Sequence, residues 1–351
     1  MENSFKIKGR GTTGNPKVRF EKYEFIPDPE ESVKSDKPET YFYKDNSRTV
    51  ISYNNSPDVG FSASINPYRG CEHGCVYCYA RPTHEYLGLS SGLDFETKIF
   101  VKENAPVLLR NELSSKKWEP QPLAISGVTD CYQPAEKKFG ITRKCLEVLR
   151  EFRNPAGIVT KNFLVTRDAD ILEEMSEFNG AMVAVSVTSL DPQLCRLMEP
   201  RTAQPDVRIK TIKYLSERNI PVMVLVAPVI PGLNDHEIPN ILKRAAEAGA
   251  VQAGYVMLRL PYAVKRLFRN WLETNYPQRR KKIINRIMDV RGGKLNSVKF
   301  HNRISGDGIF SKQIENLFNL ECRKLGISES RIELSTKHFR RPDRNQMDLF
   351  R

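Results

Sequence analysis

Three of the seven cysteines in this 351-residue chain fall within eight positions. Cys71, Cys75 and Cys78 form a C-x3-C-x2-C run, while Cys131, Cys145, Cys195 and Cys322 stand singly. Three thiolates so spaced converge on one soft metal centre only if the chain loops tightly, and Gly74 between the first two supplies the freedom for that loop. An odd number of cysteines, behind an N-terminus (MENSFKIKGRGTTGNPKVRF) without an apolar export segment, argues against a disulfide framework and for a cytoplasmic protein. A structural zinc site needs a fourth ligand, for which His73 or His84 is at hand, but zinc motifs usually bring a second separated pair that is missing here. An iron–sulfur cluster held by three thiolates keeps one iron open to a substrate or cofactor. The residues alone leave cluster, zinc and coincidence in play, with the cluster expected.

The elements that must position such a loop are legible as alternation. From about 61 to 261, short β-rich runs (Phe61–Ile65, Leu123–Val128, Gly157–Lys161, Met182–Thr188, Val222–Val229, Gly254–Leu260) alternate with helical patterns. The helices are expected at Thr142–Phe152, Asp168–Phe178 with Asp168 as N-cap, Asp206–Arg218, and Asp235–Ala248 with Gly249 at C′. Six strands each followed by a helix predict an α/β fold, an incomplete (β/α)6 TIM-like barrel whose chemistry sits at the C-terminal strand ends. Residues 1–60 are polar and turn-rich, with signals at Gly14-Asn15-Pro16, Pro27-Asp28-Pro29 and Asn54-Asn55-Ser56-Pro57, and are expected to be an extended, partly disordered arm. Residues 262–351 are expected to be a basic helical extension.

The formal charge is +13, and its distribution is uneven. From Pro261 to Arg351 there are 21 Lys and Arg against 9 Asp and Glu, whereas the first 260 residues are close to neutral. Such a block suits phosphate neutralisation. Leu267, Phe268, Trp271 and Leu272 recur at helical spacing between cations, which favours a buried stripe with charges opposite, and the charged face remains free to touch nucleic acid. The longest apolar run, Val222–Ala227, is far below the ~20 residues of a membrane span, so no membrane association is expected.

Cys71-Glu72-His73-Gly74-Cys75-Val76-Tyr77-Cys78 resembles the C-x3-C-x-aromatic-C motif of radical SAM enzymes, placed after a first strand. The wider stretch from Asn66-Pro67-Tyr68-Arg69-Gly70 to Arg81-Pro82-Thr83-His84 is similar to the branch related to spore photoproduct lyase, including its uncharacterised bacterial lyase-like members. The resemblance implies a barrel of the radical SAM type. In it the three cysteines hold a [4Fe-4S] cluster whose open iron chelates S-adenosylmethionine and cleaves it to methionine and a 5′-deoxyadenosyl radical. Tyr77 takes the aromatic position near adenine. Ser126 and Thr129, in Ser126-Gly127-Val128-Thr129-Asp130, fall in the segment gripping the methionine amino group. Lys161 matches a lysine reaching the methionine carboxylate, Ser186 a fourth-strand serine at the ribose or carboxylate, and Pro228 the fifth-strand segment along adenine. Arg201 is a candidate clamp for that carboxylate or for substrate, or pairs with Glu199.

The chain departs from photoproduct lyases at Gly127, where they carry the cysteine that returns a hydrogen atom. Cys131 is the nearest candidate donor, and Tyr79 matches a tyrosine on the radical path. Asp130 is placed to hold Arg69, His84 to face the cavity, and the remaining cysteines to be core thiols. The resemblance implies a reductant such as flavodoxin or ferredoxin and a monomeric enzyme doing lyase-like chemistry on a nucleic-acid base. A peptide or small-metabolite substrate, and a metal-cluster nucleic-acid-binding protein without radical chemistry, are the alternatives.

Overall fold

The computed structural model describes residues 7–21, 38–300, 302–327 and 332–342, so the Pro27-Asp28-Pro29 turn lies outside the described residues. Ten strands are β1 (Tyr41–Lys44), β2 (Ile51–Tyr53), β3 (Ala63–Ile65), β4 (Tyr68–Arg69), β5 (Lys98–Val101), β6 (Leu123–Ile125), β7 (Ala156–Thr160), β8 (Ala181–Ser186), β9 (Val222–Val229) and β10 (Gln252–Met257). One sheet runs β10-β9-β8-β7-β6-β3-β2, and a small one runs β1-β5-β4. From β3 to β10 every neighbour in the large sheet is parallel, and only β2 runs antiparallel, beside β3. The two edges, β2 and β10, do not pair, so the expected six parallel strands form a partial barrel.

The Val- and Ala-rich runs make these strands because a parallel sheet is covered on both faces. β9 alternates buried and half-buried residues, one set facing the barrel interior and the other the helices. Those helices are Ile141–Phe152, Ala169–Ser176, Pro205–Ser216 and Ile238–Glu247. Gly249 takes the C′ position of the last of them with φ 93°, as expected. Asp168 takes the N-cap position of its helix, as expected, but its side chain makes no capping hydrogen bond. Its carboxylate accepts from Tyr132 Oη (3.0 Å), Arg143 (3.2 Å) and Arg167 (2.7 Å), where buried charge is better compensated than at an N-cap. β6 ends at Ile125 rather than Val128, because Ser126 turns to φ 77°.

In the N-terminal arm, β1 belongs to the small sheet and β2 to the large one, Gly11 lies against Gly74 of the cysteine loop, and residues 14–16 meet residues 90–94. C-terminal to β10 follow helices Val264–Asn275, Arg280–Asp289, Asn302–Ser305 and Gly308–Leu325. Val264, Phe268, Trp271 and Leu272 are buried, whereas Lys265, Arg266 and Arg269 are exposed, so the stripe and its charged back are both present. That stripe shares a core with Cys75, Val76, Tyr77, Met198 and Ile230. Ile314, Phe318 and Cys322 of the last long helix belong instead to the main core with the sheet. No helix among the described residues is long and apolar enough to cross a membrane.

Candidate functional site

Backbone hydrogen bonds hold the cysteine loop from several sides. Cys71 N–H donates to Phe95 O (2.9 Å), Val76 N–H to Met198 O (3.0 Å), and Cys78 N–H back to Cys75 O (3.2 Å). Gly74 turns the loop at φ 67°, where a Cβ would also press on Glu96. Inside the loop, Arg81 Nε donates to Cys75 O (2.9 Å), and its Nη groups bond Ser91 O, Gly92 O and Glu96 Oε1 (2.6 Å). Glu96 in turn accepts from Gly11 N–H and Thr12 Oγ1, both at 2.9 Å, so one buried ion pair ties the loop to the N-terminal arm. Composition and spacing did not single out Arg81 and Glu96; the only sequence signal is an arginine three residues after the last motif cysteine.

Burial pushes the thiols of Cys71, Cys75 and Cys78 up. Asp130 adds to this at Cys71 and Glu199 at Cys75, and Cys71 and Cys75 feel repulsion from other thiols of the loop. Cys71 and Cys75 are buried and Cys78 is half-buried, and three thiols so placed fit a cationic iron centre, which would draw off their protons. Among the described residues no group of three or more His, Cys, Asp or Glu is gathered to hold a single metal ion.

Beside the loop, parallel register stacks the ends of three strands. Thr160 pairs with Val185, and Ser186 with Leu225, which brings Lys161 beside Ser186 and the carbonyl of Ala227. Lys161 Nζ donates to Ser186 Oγ (2.7 Å), Thr188 Oγ1 (2.9 Å) and Ala227 O (3.0 Å), and lies 3.2 Å from Glu199 Oε1. Burial, with Arg208 adding, pulls this ammonium down to about 8. Glu199 is fully buried, pairs with Arg208, accepts from Thr188 Oγ1 (2.6 Å) and from Tyr77 Oη, and is itself raised by burial. All of Lys161's donor capacity is used within the protein, so a carboxylate ligand there replaces one of these acceptors.

The remaining candidates divide. Tyr77 is buried against Glu199, with Lys161 Nζ 5.9 Å from its ring centre. Ser126 Oγ accepts from Cys131 N–H (2.7 Å), and Thr129 Oγ1 donates to Tyr68 O (2.7 Å), so both side chains shape the segment after β6. Pro228 O accepts from Asn234 Nδ2 (3.0 Å), which also reaches Thr188 O (2.6 Å). Tyr79 is half exposed, with its hydroxyl on Gly127 O (2.8 Å). Cys131 is fully buried in the main core, and Cys145, Cys195 and Cys322 are buried as well. Arg201 pairs with Glu72 of the cysteine loop (3.0 Å) rather than with Glu199, because Glu199 is taken by Arg208.

Two other expectations are corrected. Arg69 pairs with Asp45 (2.7 Å), and Asp130 instead meets His73 Nδ1 (3.3 Å), Thr160 Oγ1 (2.8 Å) and Lys161 N–H (2.8 Å). His84 is fully buried, wedged edge-on between Phe95 and Phe100, with Nε2 2.9 Å from Lys98 O. The sequence reading did not link Thr188, Glu199, Arg208 and Asn234 into this network. Their only local signal is a Glu-Pro-Arg-Thr turn before a helix.

Comparison with known proteins bears on this arrangement. The family model for the radical SAM superfamily matches residues 65–245. An uncharacterised protein of Mycobacterium tuberculosis (strain ATCC 25618 / H37Rv) is 35% identical over 226 residues, 64% of this chain and 66% of the relative. An uncharacterised protein of Methanocaldococcus jannaschii is 31% identical over 214 residues, 61% of this chain and 76% of the relative. The match thus spans just under two thirds of the mycobacterial relative's length. In fold, the chain is similar to spore photoproduct lyase complexed with dinucleoside spore photoproduct, with a TM-score of 0.58, 15% identity, and 82% and 80% of the two chains covered.

Proposed function

Since the chain belongs to the radical SAM superfamily, whose members use a [4Fe-4S] cluster and S-adenosylmethionine, we propose that Cys71, Cys75 and Cys78 hold that cluster and that the chain acts on a nucleic-acid base. The carrying observation is the three-thiol loop set directly beside the strand-end group of Lys161, Ser186 and Ala227. Held by Cys71, Cys75 and Cys78, that cluster would supply the one-electron reductive cleavage of S-adenosylmethionine that gives the superfamily its hydrogen-abstracting radical chemistry.

The chain's own residues bind, orient and exclude water. Lys161 and Ser186 offer hydrogen bonds to the methionine carboxylate, with Arg201 and the Ser126 to Thr129 segment lining the approach. Tyr77 and Pro228 bound the adenine side. Tyr79, half exposed at Gly127, is the residue we assign to hydrogen-atom relay; Cys131, shut in the core, is the reserve candidate. The buried Arg81–Glu96 pair keeps bulk water from the loop. A one-electron donor such as flavodoxin or ferredoxin supplies the reducing equivalent. The nucleobase reading draws on the dinucleoside bound by the fold neighbour and on the basic C-terminal region. With Gly127 at the lyases' cysteine position, thymine-dimer reversal is not assigned.

The test is anaerobic reconstitution followed by dithionite and S-adenosylmethionine. Formation of 5′-deoxyadenosine, reduced about tenfold or more in Lys161→Met through loss of a charged hydrogen bond, supports the reading. A fully loaded protein that forms none contradicts it.

A further inference from the structure

Arg259 follows β10, the last strand of the partial barrel, and its guanidinium carbon lies 5.5 Å from the centre of the Tyr79 ring, next in sequence to Cys78. Its Nε is buried with no hydrogen-bond partner, and among the described residues no ion pair reaches the group. The charged groups that face it are mostly of its own sign, Arg303 and Arg291. Among the described residues the carboxylate near it is Asp58, which pairs with Arg303, and Arg303 also bonds Ser56 Oγ. Arg291 donates through its Nη groups to four carbonyls, Met257 O, Leu258 O, Asn302 O and Arg303 O, with only its Nε left unpartnered, whereas Arg259 has no acceptor among the described residues. A half-buried guanidinium with like charges for neighbours and no acceptor weakens the fold. Such a group is accounted for where a ligand completes it.

The surroundings indicate which ligand. Arg259 stands at the unpaired seam between the β2 and β10 edges, where the Asp58–Arg303 contact is the bridge. Tyr79 beside it is an exposed aromatic; so are Phe300, whose ring centre lies 4.6 Å from the neighbouring Arg303, and Tyr262, three residues on in the chain, with Arg19 3.6 Å from its ring centre. Cations interleaved with exposed rings are what a single-stranded nucleic acid uses, phosphates on the former and bases on the latter. We propose that Arg259 is the phosphodiester-binding residue of the substrate site, its planar fork taking two oxygens of a single-stranded nucleic acid as a neighbouring base is delivered past Tyr79. This rests on the nucleobase reading above and adds the residue that would fix the strand's register.

The test uses the reconstituted protein and a fluorescein-labelled oligothymidylate, followed by anisotropy across a salt series. Arg259→Met is expected to weaken binding about tenfold, the loss of one charge-assisted contact. The salt slope should fall by about 0.7, one single-strand phosphate. The same substitution removes an unpaired desolvated charge, so the thermal midpoint should hold or rise by about 2 °C. Arg259→Lys, which keeps charge and loses the fork, should fall between the two. Equal affinity and slope in wild type and Arg259→Met would overturn the assignment while leaving the nucleobase reading standing. Affinity lost together with a midpoint several degrees lower also overturns it, as the mark of a structural arginine. A wild type that binds no oligonucleotide at any salt overturns the nucleobase reading and this assignment together.

Discussion

Glu199 receives Tyr77 and Thr188 on the same carboxylate that pairs with Lys161 and Arg208, and no atom of the residue is open to water. One negative charge thus faces two cations at the strand ends, the buried Arg208 and the half-buried Lys161. Glu199→Gln keeps the shape and removes the charge, and is expected to destabilise the fold by about 3–5 kcal/mol, the range for a broken buried pair. Urea denaturation measures this, and a change under about 1 kcal/mol would show that the cage is hydrated. His84 gives a second residue-scale expectation. Burial holds it at about 4, against 6.5 for the free side chain. Between those values the unfolded chain takes up a proton that the folded chain refuses. Stability from this site is therefore complete above pH 6.5, is lost as pH falls from 6.5 to about 4, and is level below. The loss amounts to roughly 3 kcal/mol. Histidine 84 replaced by asparagine (H84N) should flatten that part of the stability profile in denaturation series across pH; an unchanged slope would place the titration elsewhere.

At the scale of elements, the N-terminal arm and the cysteine loop meet backbone to backbone. A Cβ on Gly11 would overlap the carbonyl oxygen of Gly74, and Gly11 N–H is one of the bonds that Glu96 accepts. Gly11→Ala is expected to lift the arm from the loop with little effect on global stability, and to speed loss of iron from the reconstituted protein in air. Wild-type iron retention in G11A would show that the arm is not a cover. The elements themselves were unevenly legible. The six parallel strands could be read to within a few residues because buried parallel strands are continuous β-branched and alanine runs. β1 could not, since Tyr41, Phe42 and Tyr43 are all exposed, and its order comes from pairing with β5 more than fifty residues away. The cysteine loop was plain from spacing. The Glu199 cage was not, because Arg208 reaches it from the buried face of a separate helix and no short-range pattern encodes that contact.

Across the whole molecule, the basic C-terminal quarter does several jobs. Arg291 and Arg303 close the seam at the mouth. Arg340 and Arg341 bind backbone carbonyls of Glu151, Ser115 and Trp118, near the start of β7 and away from the strand ends. Part of the positive charge is thus structural, while Lys265, Arg266 and Arg269 stand exposed. The helix Gly308–Leu325 likewise completes the main core. Phe318→Ala is expected to cost about 3–5 kcal/mol in chemical denaturation, whereas a surface appendage would give almost none. The central claim concerns the three thiols, and iron analysis after anaerobic reconstitution tests it most directly. Wild type should bind about four irons per chain, one [4Fe-4S] cluster, and Cys75→Ala should lose most of them with the fold intact by circular dichroism. Full iron loading in Cys75→Ala would contradict the account.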